Sequence, residues 1–388
     1  MRTIKDTKNF LQPLDEVLDS TFIPAILNGR IVSRILRNII ALPVNLGGLG
    51  IPIPTEMSSE QYCDSIEITS ELTRHITEQK DNYNTNSDAQ KLIMSNVKSR
   101  KNDRRKEALD NLLSELSEKQ VQILDCIREK GDSNWITALP LKEKGFHLSK
   151  SDFWDAMCLR YNLEFKPAPA NCGCGKFFSM DHALSCMKGG YISMRHDNVR
   201  DLTANLLKEV ANDVRTEPRL IELTGEKFAH KTANTEDEAR LDISARNFWS
   251  PGTKAFCDIR IFNPLAESYR KQNLSNAHSI NEKAKKREYN KRVLEVEHGS
   301  FTPLVFSCYG GMAKESKCFY KQLACRLSEK RNEALGDVTS FIRTKLSFTL
   351  LKTASICVRG YRGKDGITED ESMNETDFHL TVMEAKLQ

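Results

Sequence analysis

Apolar positions recur at helical spacing through the first sixty residues. They run Phe10-Leu11, Leu14, Val17-Leu18, then Ile31-Val32, Ile35-Leu36 and Ile39-Ile40. The pattern stops in LPVNLGGLGIPIP, residues 42–54, where Gly47, Gly48, Gly50, Pro52 and Pro54 break helix. A second helical block is expected from about Glu60 to Gln79, then a polar loop, DNYNTNSDAQ, then one long charged helix from about Ala89 to Lys130. Residues 132–170 read as a compact segment holding Trp135 and Trp154, with helix-start signals at Ser149 and Ser151. It closes on a proline-rich hinge, KPAPA, ending at Ala170.

Beyond the hinge, MRHDNVRDLTANLLKEVANDV predicts one amphipathic helix with Val199, Leu202, Leu206, Val210 and Val214 on a stripe. The period then drops to two. Leu241, Ile243 and Ala245 alternate with Arg240, Asp242, Ser244 and Arg246. After a turn through Pro251 and Gly252, Ala255, Cys257, Ile259 and Ile261 alternate with Phe256, Asp258, Arg260 and Phe262. A basic helix, EKAKKREYNKR, follows; then come a strand, a turn at Gly299-Ser300, and an apolar strand from Pro303 to Cys308, a second hairpin. Glu295 and Glu297 would share a face of its first strand. An amphipathic helix, ESKCFYKQLACRLSEKR, and a last apolar segment, SFTLLKTASICVRG, complete the pattern. The expected class is α+β multidomain, with a mostly helical N-terminal half and a C-terminal α/β core around a central mixed sheet.

Length and composition fit that picture. The 388 residues suffice for two or three domains, and 39% hydrophobic with 28% charged residues suits a soluble globular chain. No apolar run nears the ~20 residues of a membrane span, and MRTIKDTKNFLQPL has no signal-peptide core. Eleven cysteines without an export signal favour reduced thiols in nucleus or cytosol. The net charge of +4 combines a tail from Gly366 to Gln388 at −5 with a basic remainder at +9, which suits a polyanion but decides nothing alone.

Three stretches carry candidate chemistry. KSRKNDRRK holds Lys98, Arg100, Lys101, Arg104 and Arg105, either a solvated helix face or a surface tracking phosphates. NCGCGKFFSMDHALSC places Cys172, Cys174, His182 and Cys186 at spacings that suit tetrahedral zinc. Gly173 and Gly175 permit the tight turn, and the bland reading is free thiols and a surface histidine. In the hairpin, Asp242 and Asp258 can converge on one side, and two such carboxylates call for a cation, for which magnesium fits. A surface hairpin with ordinary acids is the alternative. Lys283, Lys285, Lys286 and Arg287 beside Tyr289 could grip DNA phosphates.

In order, the C-x-C-x7-H-x3-C run, an R-H-D helix start (Arg195, His196, Asp197), an R-x-D strand (Arg240 to Asp242) and a second Asp sixteen positions on resemble non-LTR retrotransposon proteins with a restriction-like endonuclease. LPVNLGGLGIPIP is similar to the stretch where the reverse transcriptase thumb of such proteins ends. The resemblance implies a PD-(D/E)xK nuclease that nicks target DNA, with Asp242 as the Asp of the PD element and Asp258 as the acid of (D/E)xK. Leu241 replaces the proline and Arg260 stands where the lysine should be. Lys285 or Lys286 is then the expected stand-in for the amine, and Glu209 the helix carboxylate recruited as a further metal ligand. Arg195 and His196 would contact nucleic acid. No polymerase Y-x-D-D strand is present, so polymerase activity is not implied. The implied organisation is a thumb-like remnant at 1–56, a basic linker at 57–130, a small helical segment with the zinc knuckle at 131–190, the endonuclease at 191–362 and a disordered acidic tail at 363–388. DNA and element RNA are the implied partners, Zn2+ and Mg2+ the cofactors, and the nucleus the site of action, with the cytoplasm before import. A catalytically degenerate nucleic-acid-binding relic, or a cellular protein using the fold as a scaffold, are the competing functions.

Overall fold

The computed structural model describes residues 3–80, 87–129, 131, 133–269 and 271–360. The tail at 363–388 and most of the polar loop after Gln79 lie outside the described residues. The chain forms two compact units, Met1–Leu124 and Asp125–Gln388. Among the described residues no helix is long and apolar enough to cross a membrane.

The first unit is helical: α1 (Lys8–Val17), α2 (Ile23–Ile26), α3 (Arg34–Ala41), α4 (Pro54–Thr77) and α5 (Asp88–Glu115). The expected break holds, because Gly48 lies where a Cβ would sit 1.8 Å from the Leu42 carbonyl oxygen. The buried Arg37 guanidinium fastens this turn, donating to the carbonyls of Ile51 and Pro52, both at 2.9 Å. The single long helix expected to Lys130 is two. Ser117 and Gln120 cap each other reciprocally, Gln120 N to Ser117 Oγ at 3.4 Å and Ser117 N to Gln120 Oε1 at 3.0 Å. That capping box starts α6 (Glu118–Ile127) afresh.

The second unit carries α7 (Asn134–Thr137), α8 (Lys150–Tyr161), α9 (Met180–Ala183), α10 (Tyr191–Lys208), β1 (Asn212–Thr216), β2 (Ile243–Arg246), β3 (Lys254–Phe262), α11 (Leu274–Lys285), a π-helical turn over Lys286–Asn290, α12 (Lys291–Glu295), β4 (Ser300–Ser307), α13 (Lys314–Arg331) and α14 (Leu335–Arg359). The sheet is mixed, in the order β1-β2-β3-β4, and only β3–β4 is parallel. The overall class is α+β.

Strand alternation divides the core. Ile243, Ala245, Ala255, Cys257 and Ile259 pack on α10, α13 and α14. Phe256 packs on the other side with Tyr289 and Val293. The stripe Val338, Ile342, Leu346 and Leu350, four apart, seats α14 in the first of these layers. The apolar segment SFTLLKTASICVRG therefore belongs to one 25-residue helix.

Two expectations are corrected. The helix expected through Val214 ends at Lys208, and Asn212–Thr216 pairs with β2 as a strand. Asp213 takes φ 45°, a left-handed conformation that Asp tolerates and a helix does not. The strand expected ahead of Gly299 is the helix α12, so no second hairpin forms. Parallel strands need a long crossover, and α11, the π-turn and α12 supply it between β3 and β4. Pairing topology overrides the β-branched run there.

Between β1 and β2 the chain makes a long excursion, pinned where Leu220 N meets Ala239 O at 2.9 Å. Arg292, fully buried, reaches into it and donates to the carbonyls of Asn234 (3.1 Å), Glu236 (2.8 Å) and Ile221 (2.9 Å).

Candidate functional site

β2 ends, in its pairing with β3, at Ile243 opposite Cys257. Asp242 immediately precedes Ile243 and Asp258 immediately follows Cys257, so the end of the ladder brings the two acids close together. Asp242 leaves the ladder and turns its carboxylate onto the free edge of β3, where Oδ2 accepts the Ile259 N–H. Asp258 faces the α11 layer, since it alternates with Cys257 and Ile259. Arg260, two residues along on that face, is exposed.

Each carboxylate has its own cation. The Lys285 ammonium stands 2.9 Å from Asp258 Oδ2. Lys285 also lies 3.4 Å from Glu288 and over the Tyr289 ring. His196, from α10, sets Nε2 3.0 Å from Asp242 Oδ2 and Nδ1 3.2 Å from Asp197. Arg200 completes the rim, bonding Asp197 at 3.0 Å and Asp201 at 2.9 Å and pairing with Glu217.

Burial governs the protonation. It pushes the Asp258 carboxyl upward; Lys285 opposes that shift and Asp242 adds to it. Burial disfavours charge on His196, but Asp242 and Asp197 outweigh it and lift its pKa to about 8. Burial likewise acts against the Lys285 charge, and Asp258 overcomes it, so its pKa is raised. The result is a quartet of two acids and two cations.

The structure separates the other expected residues. Lys286 turns away to Glu315, at 2.6 Å, so Lys285 alone serves Asp258. Glu209 is bound by Arg331 at 2.6 and 2.9 Å and lies 13 residues beyond His196 on the helix, roughly 20 Å away along the axis. It belongs to a different contact. Arg195 is buried at 1% exposure and Tyr289 at 7%, so neither meets an external ligand as a surface group. Lys283 and Arg287 are exposed on the basic helix. In the first unit, Arg104 pairs with Glu60 at 2.5 Å and Asp64 at 3.0 Å, Lys101 with Asp64 at 3.6 Å, and Arg100 with Asp64 and Glu67. Those three pair α5 with α4; Lys98 and Arg105 remain exposed. Glu288 escaped the sequence reading, and Asp197 was named there only as part of the R-H-D helix start, with no role at the site.

The cysteine–histidine run folds into one cluster. Residues 171–177 form a miniature hairpin closed by the Asn171–Phe177 bridge, with Gly175 at φ 86° in its turn. Ser179 caps α9 by accepting the His182 N–H at 3.1 Å, which aims His182 back at the turn. The donor atoms of Cys172, Cys174, His182 and Cys186 lie within 4.8 Å of one another and could hold a metal ion. Cys172 Sγ to Cys186 Sγ is 3.7 Å and Cys174 Sγ to His182 Nε2 is 3.3 Å. Tetrahedral bonds of about 2.0–2.3 Å put ligands roughly 3.3–3.8 Å apart, a range these two pairs meet, and the four donors as a set span up to 4.8 Å. The Lys176 backbone holds the Cys174 thiol below its ordinary range, while burial pushes Cys186 up.

No family model matches the chain, and no curated protein matches it.

Proposed function

We propose that this chain is the C-terminal region of a non-LTR retrotransposon protein, a multidomain chain whose 191–362 part is a restriction-like, metal-dependent endonuclease that nicks DNA in the nucleus. The observation that carries this reading is Asp242 set against the Asp258–Ile259 stretch of β3, with Lys285 on the second acid. Asp242 and Asp258 would hold Mg2+, which supplies a Lewis acid and an activated water. The donor set fits in kind, because both groups are hard oxygen ligands; a metal on Asp258 Oδ2 would share it with the Lys285 ammonium at 2.9 Å. Lys285, kept as an ammonium, suits stabilising the developing phosphate charge and replaces the lysine that Arg260 does not provide. His196 holds Asp242 in orientation. Lys283 and Arg287 offer exposed cations to the DNA backbone, and element RNA is the expected second polyanion. Cys172, Cys174, His182 and Cys186 take zinc in a closed structural site.

A plasmid-nicking assay with Mg2+ or Mn2+ tests the reading. Wild type converts supercoiled to nicked circles, and Asp242→Ala and Asp258→Ala each reduce this to background. Nicking that persists in both variants removes the assignment.

A second reading, a nucleic-acid-binding relic without catalysis, is favoured by one observation. Lys285 and His196 already stand against the two carboxylates, so each acid has a cationic partner without a metal. Titration with Mn2+ separates the two: a relic binds DNA but shows no Mn2+ site that Asp258→Asn abolishes.

A further inference from the structure

The cysteine–histidine cluster is not a free-standing finger. Cys172 and Cys186 are buried in one core with Leu159, Phe165, Cys308, Ala354 and Val358, so the cluster is packed against α8, α14 and the end of β4. Both parallel strands end there: Cys308 N donates to Phe262 O at 2.8 Å, closing the β3–β4 ladder. The next residue is Asn263, 5% exposed, the first residue after the strand that carries Asp258.

Every polar atom of the Asn263 side chain is engaged. Its Nδ2 donates to Asp181 O at 3.1 Å and to Ser185 Oγ at 3.3 Å. Asp181 precedes His182 by one residue, and Ser185 precedes Cys186 by one. Its Oδ1 accepts from Leu265 N at 3.0 Å and from Cys308 Sγ at 3.7 Å. One buried amide thus joins the segment that carries two candidate metal ligands to the ends of β3 and β4. A fully satisfied buried network of this kind transmits position, because losing one partner strands another polar group in a dry site.

We infer that Asn263 is a positioning residue that couples the metal centre to the carboxylate-bearing strand, so that filling the cluster rigidifies β3 up to Asp258. The metal is then a brace of the sheet and not a recognition element in its own right. Binding to the native state alone stabilises it, and Asn263 passes that stabilisation to β3. This inference rests on the zinc reading above, and the experiment keeps the two apart.

The full chain is prepared loaded with Zn2+ or Co2+ and after chelation, as wild type and as Asn263→Asp. The Asp side chain keeps the acceptor for Leu265 and lacks both donors to the metal-bearing segment. Amide hydrogen exchange is followed by mass spectrometry over residues 258–262. In wild type, metal slows exchange at these amides at least tenfold. In Asn263→Asp the cobalt–thiolate absorption persists, but the metal-dependent slowing falls by half or more. A variant with merely weakened packing would exchange faster with and without metal and keep the full ratio; that result overturns the inference. Wild type without cobalt–thiolate absorption overturns both the zinc reading and the inference. Should Asn263→Asp not fold, Ser185→Ala removes one acceptor only and must give a partial loss of the same ratio. An unchanged ratio in Ser185→Ala rejects the coupling.

Discussion

Two basic helical runs, KSRKNDRRK in α5 and EKAKKREYNKR across α11 and the π-turn, look alike in sequence and meet different fates. In α5 the cations Arg100, Lys101 and Arg104 face Glu60, Asp64 and Glu67 of α4 and are consumed in holding two helices together. In the second run Lys285 turns inward to a buried aspartate, Arg292 turns inward to backbone carbonyls, Lys286 is taken by Glu315, and Lys283 and Arg287 stay exposed. A run of charge therefore carries no function by itself. What decides is the element packed against it, and whether the acid it meets is at a surface or in a core.

Breaking the inward pair has the largest expected effect. Lys285→Met should lower nicking by about 10²–10³-fold, the range found when one preorganised charge-stabilising donor is removed. Lys286→Met, which loses only the Glu315 contact, should stay within about threefold in the same assay. Equal loss in both would erase the distinction between the neighbouring lysines. Next is Asp64→Ala in the first unit. Its carboxylate is buried at 3% exposure and faces three partly exposed cations, so its removal should destabilise that unit by roughly 1 kcal/mol, read as a lower urea midpoint. A change under 0.5 kcal/mol would return α5 to the solvated-face reading.

The exposed cations sharpen the contrast at a smaller scale. Lys283→Gln with Arg287→Gln should reduce the salt slope of DNA binding by about 2, at roughly 0.9 per lost phosphate contact. Arg100→Gln with Arg104→Gln should leave that slope unchanged. The smallest effect is on pH dependence. The folded-state pKa of His196 is raised to about 8 from 6.5, so its stabilisation is complete below about pH 6.5 and is lost as pH rises through 8. Urea unfolding at pH 6 and pH 9 should differ by about 1–2 kcal/mol from this group, and His196→Gln should remove that part of the difference.

Much of this was legible from residue order because the signals are local. The glycine–proline break before α4, the period-two alternation of β2 and β3, and the Cys/His spacing each depend on a few neighbouring residues. Asp242 and Asp258 came together because a hairpin register follows from its turn. Most of the errors come from long-range contacts. The α12 helix and the inward turn of Tyr289 belong to the crossover that lets β3 and β4 pair in parallel, a contact between segments some forty residues apart. Glu209 went to Arg331 because α13 packs beside the end of α10, and no local pattern announces that. Asn263 was invisible for a related reason: an Asn before a proline reads as a turn, and only the fold reveals what its amide joins.

Arg292 has a consequence of another kind. By gripping the backbone at Ile221, Asn234 and Glu236, it closes the β1–β2 excursion at its base and leaves the tip around Gly225 outside the latch. Lengthening a closed loop costs only about 0.6 kcal/mol per doubling. The tip is therefore a port where a peptide tag or fluorophore could be spliced in without disturbing the carboxylates, and where related chains are free to differ in length.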